Sequence, residues 1–310
     1  MRRVLALATL GVLLLGVFWF VLADLQPAAQ NVATRLAPLG FDVEEVRLLK
    51  SACNRFRTVQ PKTIVQASHR IRINSKSFND KIGDIALKNI IDFDVRRDTI
   101  SNLPLFERFP GGDILSKRQI SNELVGERHP DQILASLAEA MTPKEQIIRD
   151  SFGVFTVEKL LTSSRNRFIL SQELEWSFLA YLLYLPDCPV WQNRFGERIS
   201  YEDICKRLLE SQMGSGGCTG THRLFVLTKA LYINNRYNFL SAKMIKRIHK
   251  RLNEAVSQLA QTQLQAGGWD EHWASMPAAQ SRVIRIKELI YYTGHHLEWL
   301  ILARSGFITY

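Results

Sequence analysis

The chain has 310 residues, of which 46% are hydrophobic and 23% are charged. This composition is typical of a folded protein of about two domains and excludes an intrinsically disordered chain. The formal net charge is +10, but the sequence contains no long basic block and no nucleic-acid-binding module, so no nucleic-acid partner is expected. Four cysteines without a Cys-x-x-Cys pair exclude a disulfide-packed miniature scaffold and the commonest zinc ribbon.

An uncharged apolar run occupies residues 4–23, after Arg2 and Arg3 and before Asp24. A helix of that length spans roughly 30 Å, the hydrocarbon thickness of a bilayer. The run predicts a transmembrane anchor; a cleaved signal peptide, whose apolar part is usually about 7 to 15 residues long, is the alternative. Because the positive charges precede the run, we expect a cytoplasmic N-terminus and an extracytoplasmic location for residues 24–310.

The composition changes along the chain in a way that predicts four segments. These are the anchor or signal peptide (1–23), a proline-containing linker (24–40), an irregular mixed cap region (41–115) and a helical domain (116–310). Within the cap, the spacing of Val46, Leu49 and Cys53 favours a helix, and the alternation of residues 69–78 favours a short strand.

Outside the cytoplasm the cysteines can form disulfides, and the four of them allow three complete pairings. They are Cys53, Cys188, Cys205 and Cys218. Four buried free thiols are the alternative, because cysteine is among the most buried residue types.

Beyond residue 115 the sequence predicts helices of two alternating kinds. Residues 201–212 and 241–265 are amphipathic, whereas residues 174–185, 221–232 and 289–303 are nearly apolar all round. Two shorter amphipathic helices are predicted at 131–140 and 156–168. Because apolar helices need cover on every side, the alternation favours a mainly α, partial alpha/alpha toroid, in which an outer ring of helices covers an inner ring.

Short internal repeats accompany this alternation. The pattern Gln212-x-x-x-Gly216-x-Cys218 recurs as Gln263-x-x-x-Gly267-x-Trp269, and Leu174-Glu175-Trp176 recurs as Leu297-Glu298-Trp299. Each pair falls on equivalent predicted elements, the first at the exit of an amphipathic helix and the second within an apolar helix. The repeats therefore support a repeated helical architecture.

The segment Gln263–Trp269 resembles the glutamine-tryptophan motif, Q-x3-G-x-W, of squalene-hopene cyclases. Their toroid is shared by protein prenyltransferase beta subunits and lanthionine cyclases. Segments 217–224 and 293–300 are also similar to those of bacterial toroid-type proteins without an assigned reaction. The resemblance covers about half of the chain and implies a fold rather than an activity. The Asp-x-Asp-Asp acid of the cyclases is absent, and Asp187 and Cys188 are adjacent where the prenyltransferases have Asp-x-Cys.

The candidate metal ligands are Cys218, His222 and His296. Cys218 and His222 are four residues apart, a spacing that places both on one helix face if Cys218 lies in the first turn, and that suits zinc ligation. A third ligand is expected from His295 or His296 in the equivalent inner helix, leaving one position for water or substrate. The alternative is a tight glycine-rich turn with a buried cysteine and a histidine that hydrogen-bonds a neighbouring loop.

Two glutamates, Glu298 and Glu175, are the candidate catalytic residues. Each lies in a nearly apolar helix, where a carboxylate must be paired or shifted in pKa. An ion pair that stabilises the fold, for example with Arg223, is an equal alternative. The expected pocket residues are Trp176, Trp269, Asp270, His295 and Trp299.

The sequence therefore favours a membrane-anchored extracytoplasmic protein with a non-catalytic binding or scaffold role in the cell envelope. The alternative function is a metal-dependent hydrolase or transferase acting on an envelope peptide, glycan or lipid. An isolated half-toroid would expose apolar helix faces. We therefore expect residues 41–150, a protein partner or self-association to complete the ring.

Overall fold

The computed structural model describes residues 60–74, 84–119, 124–264, 267–275 and 286–304. The predicted anchor, the linker, the first part of the cap and the helix expected around Val46–Cys53 lie outside these residues. Among the described helices, none combines the length and the apolar composition needed to cross a membrane.

The described chain is mainly helical, as the sequence predicts, and divides into two compact units. The first unit contains the described residues between 60 and 207 together with 233–240. The second unit contains those between 208 and 232 and between 241 and 304. The toroid arrangement and the segment boundaries stay predictions.

Ten α-helices and six short strands form the described part of the chain. The first unit begins with α1 (Ile64–Asn74), α2 (Ile85–Ile91), α3 (Phe93–Thr99), β1 (Phe106–Arg108) and β2 (Ile114–Ser116). It continues with α4 (Gln132–Glu139), β3 (Ile147–Asp150), β4 (Gly153–Thr156), α5 (Val157–Arg167), α6 (Glu175–Tyr184), β5 (Val190–Gln192) and β6 (Arg198–Ser200). The remaining helices are α7 (Tyr201–Glu210), α8 (Thr221–Tyr237), α9 (Ala242–Thr262) and α10 (Ile286–Arg304).

Side chains immediately before the helices fix several of their starting points. Asp84 and Asp92 accept the backbone N–H groups of Ala86 and Asp94 at the start of α2 and α3. Thr156 does the same for α5, where its hydroxyl accepts the Lys159 N–H at 3.2 Å. Each cap satisfies a backbone donor that the helix itself leaves without a partner.

The six strands pair as three antiparallel two-stranded hairpins, β1–β2, β3–β4 and β5–β6. Gly111 and Gly112 provide the first turn with positive φ angles of 90° and 82°, which glycine adopts without steric cost. In the third turn, the Asn193 side chain accepts the N–H groups of Phe195 and Glu197. The hairpins beyond residue 115 were not predicted, because strands of three or four residues carry little alternation.

One prediction for the cap is wrong. Residues 69–74, the first part of the expected strand, form the end of α1. The buried apolar residues among the described side chains of α1 are Ile64, Ala67 and Ile71, whose spacing of three and four residues follows the helical period. The rest of the expected strand, residues 75–78, lies outside the described residues.

No disulfide joins any two of the three described cysteines, Cys188, Cys205 and Cys218. Cys205 is fully buried and Cys188 is exposed. These three residues are free thiols, as in the second alternative from the sequence, but only Cys205 is buried. Cys53 lies outside the described residues.

A buried ion pair stabilises the first unit. Arg96 and Asp150 have fully buried side chains and pair directly. Asp150 also accepts the backbone N–H of Phe106 at 3.0 Å, and Arg96 donates to the carbonyl oxygen of Asn89 at 3.1 Å. The pair thereby connects α2 and α3 to the hairpins β1–β2 and β3–β4.

We expect Asp150→Asn to lower the free energy of unfolding by about 3 to 5 kcal/mol, because it leaves a buried guanidinium without its counter-charge. Asp94→Asn is the matched control. Asp94 pairs with Arg97 at 3.4 Å with its side chain 75% exposed, so its loss is expected to cost less than about 1 kcal/mol. Urea unfolding followed by circular dichroism measures both variants, and equal losses would contradict the account.

Candidate functional site

A strained turn in the second unit carries Cys218. Cys218 and Thr219 both have left-handed backbone angles, with φ of 48° and 54°, between Gly216 at 88° and Gly220 at 83°. Two successive non-glycine residues in this conformation cost roughly 1 to 3 kcal/mol each. Such strain persists only where surrounding contacts hold it, and it is common at functional sites.

Trp273 supplies the most direct of these contacts. Its indole Nε1–H donates to both the carbonyl oxygen and the hydroxyl oxygen of Thr219, each at 3.1 Å. The side chain of Trp273 is 1% exposed. The next residue, Ala274, packs so closely on Gly214 that a Cβ there would lie 2.5 Å from the Ala274 Cβ. The segment 271–275 therefore fixes the turn from one side.

The turn leads directly into α8, which begins at Thr221. The Thr221 hydroxyl donates to the carbonyl oxygen of Cys218 at 2.8 Å. Cys218 is therefore located at the N-terminal end of a 17-residue helix. The positive end of the helix dipole favours the thiolate form of a cysteine in this position.

Three side chains of α10 form a row that begins at the thiol. They are Tyr291, His295 and Glu298, at positions i, i+4 and i+7, which share one face of a helix. The Tyr291 hydroxyl lies 2.9 Å from the Cys218 sulfur, and the rings of Tyr291 and His295 are 4.7 Å apart between centroids. The Cys218 side chain also interacts with His295 and raises the pKa of the imidazole.

Glu298 completes this row behind His295. Its Oε2 atom lies 3.5 Å from the Nδ1 atom of His295, and both side chains are at least 90% buried. This separation fits an ion pair rather than a short hydrogen bond. Burial opposes a charge on His295, but Glu298 and Cys218 outweigh it and raise the pKa of His295 to about 10. His295 is therefore an imidazolium at neutral pH, between a sulfur and a carboxylate.

His222 lies on the other side of His295. Its ring is 5.0 Å from the His295 ring in an edge-to-face arrangement. A ring nitrogen of His222 and the sulfur of Cys218 are within 4.8 Å of each other. Because Cys218 precedes α8 and has left-handed backbone angles, the turn brings the two side chains together, and the helix face that the sequence predicts for them is not what they share.

His296, the third candidate ligand, has different surroundings. It is fully buried, and its Nδ1 atom accepts the indole N–H of Trp299 at 3.2 Å. Its ring packs edge-to-face against Trp273 at 4.6 Å and Trp269 at 5.5 Å. Burial, together with the charge of His295, lowers the pKa of His296 well below its usual value. His296 is therefore a neutral member of a tryptophan cluster, while its neighbour His295 faces the thiol.

Trp269 and Trp299 also belong to this cluster. The backbone N–H of Trp269 donates to the Thr293 hydroxyl at 2.9 Å, and its indole N–H donates to the carbonyl oxygen of Leu259 at 2.9 Å. Trp299 is fully buried. Both side chains therefore support the site as core residues. Asp270, which follows Trp269, is half-buried and accepts the backbone N–H of His272 at 2.8 Å.

Glu175 and Trp176 lie in the first unit, at the start of α6. The Glu175 carboxylate accepts the N–H of Leu174 at 3.0 Å. The Trp176 ring stacks on His129 at 6.0 Å between centroids. The repeat relates Glu175 to Glu298 in sequence, but their immediate contacts differ, and only Glu298 has a histidine three residues before it.

Sequence reasoning missed Tyr291. Its spacing of four residues before His295 was available in the sequence, and this i, i+4 relationship on α10 is what brings its hydroxyl to the thiol. Thr219 was also missed, because a left-handed threonine has no sequence signature.

Comparison with known proteins gave no significant match, whether to a family model, to a curated protein or to a solved structure. The likeness to the toroid enzymes is therefore a prediction from short motifs.

Trp273→Phe keeps most of the aromatic bulk but removes the indole N–H that holds Thr219. We expect a loss of about 1 to 3 kcal/mol in the free energy of unfolding and faster amide hydrogen exchange at residues 218–220. Trp269→Phe is the control, because it loses one indole hydrogen bond, to Leu259, and none to the turn. Unchanged exchange at 218–220 in Trp273→Phe would show that this tryptophan does not hold the turn.

Proposed function

We propose that the second unit carries a cysteine-dependent active site that hydrolyses or transfers acyl groups. In this proposal Cys218 is the nucleophile, His295 is the general acid and base, and Glu298 orients His295. The observation that supports it is the row on α10 that begins with Tyr291, 2.9 Å from the Cys218 sulfur, and continues with His295 and with Glu298, whose carboxylate lies 3.5 Å from Nδ1 of His295. A nucleophile, a base and an orienting carboxylate in this order define a catalytic triad by geometry rather than by sequence position.

In the first half of the reaction, Cys218 acts as a thiolate and His295 as an imidazolium. The Cys218 thiolate attacks the carbonyl carbon of the substrate and forms a carbon–sulfur bond. The bond to the leaving group breaks as the His295 imidazolium gives that group its proton. An acyl-enzyme thioester and a neutral imidazole result, and the carboxylate of Glu298 keeps the ring in place.

The second half reverses the proton transfers. The neutral imidazole takes a proton from water or from an acceptor alcohol or amine, which attacks the thioester carbonyl. The carbon–sulfur bond breaks, the acid or the transferred acyl product leaves, and the thiolate–imidazolium pair is restored. Tyr291, whose hydroxyl is 2.9 Å from the sulfur, positions the thiolate by donating a hydrogen bond to it.

A metal-dependent enzyme is the second candidate function. The observation in its favour is that Cys218 and His222 offer a sulfur and a nitrogen within 4.8 Å of each other. Thiolate and imidazole ligands suit zinc. Neither His295 nor His296 joins this pair with a ligand atom within 4.8 Å of both, and the Nδ1 atom of His296 accepts the indole N–H of Trp299. The non-catalytic binding role favoured by the sequence is the third candidate function, and an experiment has to distinguish it from the two enzymes.

Acylation of Cys218 by p-nitrophenyl acetate tests the proposal on the purified full-length protein. Mass spectrometry of the quenched protein and its peptides is expected to show an acetyl group on Cys218 that forms and then turns over. His295→Ala removes the general base and is expected to slow acylation about 100-fold or more. The acylation rate of Glu298→Gln is expected to lie between those of the normal protein and His295→Ala. His222→Ala, which leaves the triad intact, is expected to acylate at the normal rate.

The other outcomes each identify a different function. Loss of activity on treatment with a zinc chelator, its restoration by zinc and its loss in His222→Ala would support the metal-dependent enzyme. Acetylation of Cys218 that is no faster in the normal protein than in His295→Ala would overturn the cysteine mechanism and leave the binding role. Melting temperatures of all variants show whether any loss reflects unfolding.

A further inference from the structure

One face of α9 carries a concentrated positive charge. Five of the first ten residues of this helix are lysine or arginine, and its single acidic residue is Glu254. Four of the five basic residues have the spacing i, i+3, i+4 and i+7, which is that of one helix face. They are Lys243, Lys246, Arg247 and Lys250, and we call them the basic face of α9. It extends over about 10 Å along the helix axis.

The basic face is turned away from the core of the second unit. The apolar side chains on the other side of α9 are buried at positions three or four residues apart, among them Met244, Ile248 and Leu252. The three lysines of the basic face are exposed, and its arginine is half-buried. The apolar contacts therefore hold α9 in place, while the basic face is directed toward other molecules.

Arg251, the fifth basic residue, shows how a charge of this helix can serve the fold. Its Nη1 and Nη2 atoms donate to the carbonyl oxygens of Ser211 and Leu209, at 3.0 and 2.7 Å. The basic face has one ion pair among the described residues, between Lys250 and Glu254 at 3.8 Å, with the two side chains 79% and 47% exposed. Exposed pairs of this kind contribute little to stability. The other three members of the face make no ion pair within the described chain.

The position of the basic face within α9 is unfavourable for the helix itself. The whole face lies in the first nine residues, and Lys243 lies in the first turn, after the N-cap Ser241. Because the N-terminal end of the helix dipole is positive, a cation in the first turn is disfavoured and an acid is favoured. The first turn of α9 contains no acid. Neither the core nor the helix accounts for this charge, whereas an anionic partner would.

The chemistry of the face favours a phospholipid membrane over a nucleic acid. Three of its four members are lysines, which act as flexible point charges rather than in the fixed planar geometry of arginine. α9 contains no phenylalanine, tyrosine or tryptophan on which a base could stack. Anionic lipids require neither feature, and each lysine or arginine near them strengthens binding. The apolar run at residues 4–23, which predicts an anchor, would hold the chain beside such a surface.

We propose that the basic face of α9 binds the headgroups of anionic phospholipids and holds the second unit against a membrane surface. Because the apolar side of α9 is packed in the core, the helix does not insert its apolar face into the bilayer as an amphipathic membrane helix does. The contact is therefore electrostatic and weakens with salt. This inference does not depend on the cysteine mechanism proposed above, and failure of that mechanism would leave it in place.

Acetylation by acetic anhydride, a neutral reagent, tests the proposal at single lysines of the full-length protein. The protein is combined with vesicles of phosphatidylcholine alone or with about 30% phosphatidylglycerol, so that any anchor acts equally in both. Peptide mass spectrometry follows Lys243, Lys246 and Lys250, with Lys88, an exposed lysine of α2, as the internal reference. We expect phosphatidylglycerol to slow acetylation of the three lysines about five-fold or more at low salt, and this protection to disappear near 1 M salt.

The double variant Lys246→Gln, Arg247→Gln tests the face itself, and the two remaining lysines report the result. Loss of two charges is expected to weaken binding about 25-fold, at roughly five-fold for each charge, so Lys243 and Lys250 lose their protection. Arg97→Gln, Arg198→Gln is the matched control, because it removes the same charge from exposed positions of the first unit. In that control the protection is expected to stay normal.

Equal acetylation rates with both kinds of vesicle, or protection that persists in the double variant, overturn the proposal. The melting temperature of the double variant is expected to be normal, and a clear decrease would show that the basic face serves the fold rather than a partner. Protection of the same lysines by duplex DNA, without protection by the anionic vesicles, would assign the face to a nucleic acid and also overturn the membrane proposal.

Discussion

The left-handed pair Cys218–Thr219 is the constraint on which the site depends. An ordinary helix start would keep the chain between α7 and α8 in favourable backbone angles. Here two non-glycine residues adopt the conformation that glycine usually provides, at a cost of roughly 1 to 3 kcal/mol each. The indole of Trp273 and the hydroxyl of Thr221 compensate by binding the carbonyl groups of the turn. The result is a sulfur placed at a helix N-terminus and facing α10.

The orientation of α10 about its own axis then determines which of its side chains lie near Cys218. Tyr291, His295 and Glu298 lie on the face that meets the turn, and the residues one position later, among them His296, lie on the next face. Two adjacent histidines consequently have opposite ionisation. His295 is held as a cation between Cys218 and Glu298, with its pKa raised to about 10. His296, buried among tryptophans, is held neutral.

The tryptophan cluster connects these two features. His296 contacts Trp269, Trp273 and Trp299, and Trp273 in turn binds Thr219 of the strained turn. The core of the second unit therefore supports both the helix that carries His295 and the loop that carries Cys218. The proposed triad needs this support, since small displacements of a nucleophile from its base reduce the rate strongly.

The sequence predicts the positions of several helices of this region closely. The predicted helices at 201–212, 241–265 and 289–303 match α7, α9 and α10 to within three residues at either end, because their apolar patterns extend over several turns. The repeat of Gly216 and Gly267 also has a structural basis, as both have positive φ angles at the exit of a helix.

The sequence could not show which of His295 and His296 lies near Cys218. Adjacent residues on a helix differ by about 100° in direction, and which of them meets the turn depends on how α10 packs. The repeat that relates Glu175 to Glu298 also suggested the same role for both glutamates, although a local motif does not specify the side chains that surround it. Glu175 bonds the backbone of Leu174, whereas Glu298 faces a histidine.

The state of the Cys218 thiol tests the central claim most directly. The rate of its alkylation by iodoacetamide, followed by peptide mass spectrometry between about pH 5 and 9, reports the thiolate fraction, since an ordinary cysteine has a pKa of about 8.5. The account predicts fast alkylation that persists well below pH 7 in the normal protein and reverts to the ordinary cysteine profile in His295→Ala. An ordinary profile in both proteins would contradict it.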